Sequence, residues 1–138
     1  MDRLRQGAAA VTATDRVFAT PAGVRLGPLD AIMAGKARNY VLQMRSGRFH
    51  GFIVRRGDAV FGYVDRCPHA GVPLAQVLDD YLTPGGDHIA CSWHGALFDI
   101  GDGLCVGGPC LGQRLTAWPV AVEAGEIVTA APPEPSVA

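Results

Sequence analysis

Apolar residues in the first half of the chain fall into short runs that are separated by turn residues. Three such runs occupy residues 40–44, 49–55 and 59–64, and the breaks between them contain Gly47 and Gly57. Runs of four to eight residues that are rich in valine, isoleucine and aromatic side chains and bounded by glycine are typical of β-strands joined by hairpins. This half of the chain is therefore predicted to be an antiparallel sheet.

The second half shows the same pattern with shorter runs. Strands are predicted at residues 88–90, 96–100, 104–106, 115–122 and 126–129, and one helical turn is predicted at 29–34. Between them, Leu74, Val77, Leu78 and Tyr81 have the spacing of one helical face, so residues 74–81 form either a short helix or an irregular loop. The fold class predicted is all-β, with short antiparallel strands.

Length and composition indicate one domain. The chain has 138 residues, of which 18 are glycine and 10 proline, enough for a core but rich in turns. The expected organisation is a loosely ordered lead at 1–22 with a strand near Val17, a domain at 23–130, and a disordered proline-rich tail at 131–138. A net charge of −1 gives no reason to expect nucleic acid or a membrane as partner, and no apolar run approaches the roughly 20 residues of a membrane span. With no secretory signal recognised, the expected location is the cytoplasm.

Two segments carry the candidate chemistry, Cys67-Pro68-His69-Ala70-Gly71 and Cys91-Ser92-Trp93-His94-Gly95. Each offers one thiol and one imidazole, whereas a structural zinc finger usually takes its cysteines from one loop and its histidines from another element. A two-iron cluster with sulfur ligands on one iron and nitrogen ligands on the other explains this mixed pairing. A mononuclear zinc site on the same four residues, and four unrelated core residues, are the alternatives.

At these segments the chain resembles the Rieske iron–sulfur family. The resemblance rests on C-P-H-A-G, C-S-W-H-G, the following residues 96–99 and the later Gly107-Gly108-Pro109, and it covers about residues 24–129. It implies a [2Fe–2S] cluster held by Cys67, His69, Cys91 and His94. It also implies a β-sandwich or barrel-like base with an inserted cluster-binding subdomain at about 65–110. The 21 residues between His69 and Cys91, 70–90, form a longer gap than the family usually shows.

The surroundings of the cluster can be predicted in the same way. Backbone N–H groups of Ala70, Gly71, Gly95 and Ala96 are expected to donate hydrogen bonds to its sulfurs. Gly108 and Pro109 are expected to form a third wall, Leu74 to cover the site, and Trp93 either to pack over the cluster or to contribute to a docking surface.

The resemblance also bears on the reduction potential. High-potential members of the family carry a disulfide between the ligand loops and two hydroxyl donors beside the cluster. The matching positions here hold Val72 and Trp93, then Ala96 and Phe98. The expected potential is therefore at the low end of the Rieske range, about −150 mV.

The remaining cysteines and histidines receive no ligand role. Cys105 and Cys110 are either a pair of thiols or a disulfide, and thiols are expected in a reducing compartment. His50 and His88 lie in predicted strands, where an ordinary structural role is expected.

Two functions fit this family resemblance. A Rieske-type ferredoxin would carry electrons from a flavin reductase to a terminal oxygenase and would not itself be an enzyme. A small subunit of a larger oxidoreductase, as in assimilatory nitrite reductase, is the second. A complete Rieske oxygenase also needs a mononuclear iron on two histidines and a carboxylate, and this chain is too short and has too few spare histidines for it. A structural zinc protein is the alternative from another class.

Overall fold

The computed structural model describes residues 16–68, 71–93 and 95–131. Within them the fold has ten strands in three small sheets and a single 3-10 turn, Leu29–Ala31. The strands are β1 Arg16–Val17, β2 Arg25–Pro28, β3 Ala37–Met44, β4 Gly47–Arg56, β5 Ala59–Val64, β6 His88–Ala90, β7 Leu97–Asp99, β8 Cys105–Gly107, β9 Val120–Glu123 and β10 Glu126–Thr129. No helix in the described part of the chain is long and apolar enough to cross a membrane.

The long strand β4 is the centre of the base. It pairs antiparallel with β3 along one edge; along the other it pairs with β5 and, at Arg48 and Phe49, in parallel with β1. The β4–β5 hairpin turns at Gly57, whose φ of 61° is left-handed and favours glycine. A second sheet, in the order β9–β10–β2, completes the base, and the bridge between Tyr63 and Ala117 joins the chain leading into it to β5.

Alternation along β4 divides the interior into two cores. Phe49 and Ile53 face a base core that contains Trp118, Ile127 and Leu29, whereas Phe52 and Val54 face a second core. Side chains two residues apart lie on the same face of a strand, so β4 separates the two cores and packs against one on each face. The second core holds all four cysteines of the chain.

The third sheet supports that second core. Strand β7 pairs antiparallel with β6 and β8 in the order β6–β7–β8. Ile89, Phe98 and Cys105 lie across it and are fully buried. This sheet and the segments that flank it form a small unit placed on one side of the base.

The all-β prediction is confirmed, and each predicted strand is present with bounds shifted by a few residues. The largest shift is at 115–122, where strand pairing begins only at Val120. Residues 74–81 form an irregular loop and not a helix. The strand near Val17 is present, and Trp118 donates a hydrogen bond to Thr20. Most of the proposed lead (1–15) and tail (132–138) lies outside the described residues, so those boundaries stay a prediction.

The contact between base and third-sheet unit gives a pH-dependent stability. The Tyr63 hydroxyl donates to the Ile100 carbonyl, and burial raises the pKa of this phenol to about 12. Because the folded chain holds the proton more tightly, this stabilisation is complete below the unfolded pKa of about 10 and is lost as pH rises towards 12. Urea unfolding between pH 9 and 11 should show falling stability in the wild type and a smaller fall in Tyr63→Phe. An equal fall in both would contradict this assignment.

Candidate metal centre

Two turns of the same geometry present the cysteines at 67 and 91. In the first, the Cys67 N–H donates to the Val72 carbonyl at 2.8 Å and the Gly71 N–H donates to the Cys67 carbonyl at 2.7 Å. In the second, the Cys91 N–H donates to the Ala96 carbonyl at 2.9 Å and the Gly95 N–H to the Cys91 carbonyl at 3.0 Å. Gly71 and Gly95, each four residues after its cysteine, both have a φ of 72°.

This duplication explains why glycine stands at the fifth position of both sequence motifs. A left-handed backbone costs an L-amino acid roughly 1 kcal/mol or more, and glycine avoids this cost. The two turns have the same shape because their glycines adopt the same left-handed φ. Each turn therefore places its cysteine at the corresponding position.

The two cysteines point into one core while the turns end at the surface. Cys67 and Cys91 are each 1% exposed and belong to the same buried cluster. Gly71 and Gly95 are exposed. His69, Ala70 and His94 lie outside the described residues, so their predicted roles remain predictions.

A third segment closes against the second turn. Gly108 has a φ of 94°, and a Cβ atom added there would lie 2.7 Å from the Ala96 Cα atom. Only glycine allows so close a backbone approach. The structure thus places Gly108 against the second turn, and the role of Gly108 and Pro109 as a third wall of the cluster site stays a prediction.

The loop at 72–88 is held to the second turn by hydrogen bonds. The Ser92 N–H donates to the Leu74 carbonyl at 2.7 Å, and the Trp93 indole N–H donates to the Pro73 carbonyl at 2.7 Å. Leu74 is fully buried in the core of the cysteines, as expected of a residue that covers the site. Val77 and Leu78 are exposed, so the four apolar residues with helical spacing do not form one buried face.

One expectation about neighbouring groups needs correction. The N–H groups of Gly71 and Gly95 donate to cysteine carbonyls and close the turns; hydrogen bonds from them to sulfur were expected. Trp93 is 49% exposed, and both alternatives stated for it, packing over the cluster and a docking surface, stay predictions. The expected donation from Ala96 stays a prediction.

Asp65 is a site residue that the sequence motifs did not indicate. It is 4% exposed, and its carboxylate accepts hydrogen bonds from the Leu74 N–H at 2.9 Å and the Tyr81 hydroxyl at 2.8 Å. The Asn39 side chain donates to the same Tyr81 oxygen at 2.7 Å. Asp65 therefore ties the start of the first turn to two points of the following loop, Leu74 and Tyr81. Burial raises the pKa of the Tyr81 phenol, and the negative charge of Asp65 raises it further.

Asp65→Ala is expected to lower the free energy of unfolding by about 3 kcal/mol, because it leaves two buried donors without an acceptor at roughly 1–3 kcal/mol each. Tyr81→Phe, which removes one donor and leaves the carboxylate bonded to Leu74, should cost only about 1 kcal/mol. Urea titration of the purified protein measures both. A loss below about 0.5 kcal/mol in Asp65→Ala would show that the network contributes little.

His50 and His88 lie in strands β4 and β6. Burial, with a further effect of Arg16 and Arg48, lowers the pKa of His50. A structural role accounts for both residues.

The donors present fit a sulfur-and-nitrogen metal centre. Two buried cysteines on duplicated turns supply soft ligands from two sides of one apolar pocket, and each turn also contains a histidine in its sequence. The described residues contain no group of three or more metal-binding side chains.

Comparison with known proteins agrees with this geometry. The family model described as the Rieske [2Fe-2S] domain matches residues 32–127. The ferredoxin component of the p-cumate 2,3-dioxygenase system of Pseudomonas putida is 39% identical over 67 residues, 49% of this chain and 52% of that protein. The chain thus spans about half the length of this curated relative.

Solved structures show the same fold. The ferredoxin of carbazole 1,9a-dioxygenase from Nocardioides aromaticivorans IC177 superposes with a TM-score of 0.62 at 25% identity, covering 80% of this chain and 98% of that one. The Sphingomonas yanoikuyae B1 ferredoxin gives 0.60 at 24% identity, covering 80% and 99%. The family match implies one Rieske [2Fe–2S] cluster. Because this family model matches more than two thirds of the chain, the chain belongs to the Rieske [2Fe-2S] domain family.

Proposed function

We propose that this protein is a one-electron carrier, a ferredoxin component that takes electrons from a flavin reductase and delivers them to a terminal oxygenase. The observation that carries the proposal is the pair of matched turns, which bury Cys67 and Cys91 in one core and end at exposed glycines. The protein is a component of an oxidoreductase system and not itself an enzyme. Its relatives are ferredoxins of dioxygenase systems.

The cluster ligands in this proposal are Cys67, Cys91, His69 and His94. The buried cysteines hold the inner end, and the histidines of the same turns hold the outer end. When bound, the cluster accepts and releases a single electron. The chain keeps the cysteine end dry and anchors both turns by backbone hydrogen bonds, which limits how far the site rearranges when its charge changes.

The exposed side of the turns is the route for electrons. Gly71 and Gly95 end the turns at the surface, and Trp93 is half-exposed between them and the loop at 72–88. A partner that docks here approaches the outer end without crossing the core. One solved relative is described as a complex of reduced oxygenase and oxidized ferredoxin, with a TM-score of 0.63 at 25% identity; this supports an oxygenase as the acceptor. We place the protein in the cytoplasm, without nucleic acid or a membrane as partner.

Spectroscopy and native purification test this function. The dithionite-reduced protein should give a Rieske electron paramagnetic resonance signal with average g below 2, and the native protein should purify without a large subunit. Reduction by a flavin reductase and reoxidation by an oxygenase, followed by visible absorption, should both occur. Co-purification with a large subunit would favour the nitrite-reductase-like alternative, and a colourless protein with bound zinc would refute the redox function.

The reduction potential is expected near the low end of the Rieske range, about −150 mV. Ala96 and Phe98 are both fully buried beside the second turn and offer no hydroxyl. Ala96→Ser adds an O–H donor that stabilises the reduced, more negative state, so the reduction potential should rise. A stabilisation of about 1.4 kcal/mol corresponds to a rise of roughly 60 mV for one electron. Protein-film voltammetry measures the shift, with Ala117→Ser as the control outside the site. A wild-type potential well above zero would contradict this prediction.

A further inference from the structure

Two thiols outside the ligand turns lie in contact. The sulfur atoms of Cys105 and Cys110 are 3.0 Å apart, and each residue is 1% exposed. The Cys110 S–H donates to the Cys105 sulfur, and the Cys105 S–H donates to the Gly107 carbonyl at 3.1 Å. Nothing in the electron-carrier function requires this pair.

Backbone hydrogen bonds hold the two thiols in register. The Cys105 N–H donates a hydrogen bond to the Gln113 carbonyl at 2.8 Å, and the Gly112 N–H donates to the Cys105 carbonyl at 3.2 Å. The Gln113 N–H donates to the Cys110 carbonyl at 2.9 Å. A sulfur–sulfur bond is about 2.05 Å long, so bond formation needs an approach of only about 1 Å by two side chains that already face each other.

Among the residues that the structure describes, no third metal-binding side chain joins this pair. Two protonated thiols in contact are a two-electron reductant, and they lose two electrons and two protons when they join.

The segment between the thiols gives an oxidant a way in. Gly108 and Pro109 are exposed and Leu111 is 68% exposed, so a local opening of this short surface segment uncovers both sulfurs. Burial, followed by the hydrogen bond to Cys105, raises the pKa of the Cys110 thiol. The thiolate is the reactive form, so the closed segment protects the pair and opening starts the reaction.

We propose that Cys105 and Cys110 form a reversible intrachain disulfide when the protein meets hydrogen peroxide, which makes them a two-electron redox site separate from the cluster ligands. One sulfur attacks a peroxide oxygen, the O–O bond breaks, and a sulfenic acid and water result. The second sulfur then displaces the hydroxyl as another water and the S–S bond forms. Two thiols and one peroxide thus give one disulfide and two waters.

Thiol counting on the full-length, cluster-loaded protein tests this site independently of electron transfer. The protein is treated with peroxide, unfolded in an alkylating agent and cleaved before aspartate. Cleavage before Asp102 gives a peptide in which Cys105 and Cys110 are the only cysteines, since Cys67 and Cys91 fall in other peptides.

After peroxide this peptide should take up no alkylating agent and be lighter by two hydrogen atoms than the reduced peptide, and dithiothreitol should restore two alkylation sites. Cys105→Ser and Cys110→Ser, as matched single-thiol controls, should not show the loss of two hydrogens. Full alkylation of the wild-type peptide after peroxide, or a linkage of Cys105 or Cys110 to Cys67 or Cys91, would overturn the proposal.

Discussion

Cys91→Ser should abolish the bound cluster, with loss of visible absorption and of the reduced resonance signal, and with iron and acid-labile sulfide falling to background. Cys91 is almost fully buried at the start of the second turn and shares its core with Cys67. Serine is a harder ligand that does not deprotonate in such a place, so one iron loses a sulfur donor that no other residue of the turn replaces. Iron and sulfide analysis per chain, with far-ultraviolet circular dichroism as the check of folding, measures the effect.

Cys105→Ser is the matched control, because Cys105 is as buried as Cys91 and lies in the same core but outside both turns. Its iron and sulfide content should equal that of the wild type. Two results would count against the assignment of ligands: a Cys91→Ser protein that retains its cluster, or a Cys105→Ser protein that loses it.

Local patterns were enough to predict nine of the ten strands in the described part of the chain, all but β2 at Arg25–Pro28. The hairpin at β4–β5 needs only two apolar runs and Gly57 between them, because a glycine with a left-handed φ suits a tight hairpin turn. The turns follow the same rule. Their cysteines and glycines lie within five residues of one another, so short-range geometry decides both the turn and the position of the thiol.

Contacts between residues distant in sequence could not be predicted in this way. Asp65 accepts from Tyr81, 16 residues later, and Tyr81 stacks on Phe52 with ring centroids 4.2 Å apart. Those tertiary contacts determine the path of the loop at 72–88 and outweigh the helical preference that the spacing of its apolar residues suggests. As a result, Leu74 and Tyr81 are buried, whereas Val77 and Leu78 are exposed.

The same reason explains Trp93 and the thiol pair. An aromatic residue in an apolar motif suggests packing, but the Trp93 indole reaches the Pro73 carbonyl, 20 residues earlier, and stays at the surface. Cys105 and Cys110 are close in sequence, yet their contact depends on the backbone bonds to Gln113 that bring the segment back. Sequence alone left the choice between thiols and a disulfide open, and the structure shows two thiols in contact.

Gly108→Ala should weaken the site by a steric effect without removing a ligand. The added Cβ would lie 2.7 Å from the Ala96 Cα atom and 3.2 Å from the Ala96 nitrogen, and backbone atoms cannot rotate away. Overpacking costs roughly 1–3 kcal/mol, and the left-handed φ adds about 1 kcal/mol or more, so a loss of about 2–4 kcal/mol is expected. Since the clash pushes the second turn from the third wall, visible absorption should bleach in urea well before that of the wild type.

Gly112→Ala separates the two causes of this loss. Gly112 has a φ of 88°, close to that of Gly108, but a Cβ atom added there meets nothing within 4 Å. This variant therefore carries the backbone strain alone, about 1 kcal/mol, and should bleach only slightly earlier than the wild type. Equal bleaching midpoints for the two variants would mean that strain accounts for the whole effect and that the approach of Gly108 to Ala96 does not support the metal centre. A midpoint clearly lower for Gly108→Ala assigns the difference to that contact.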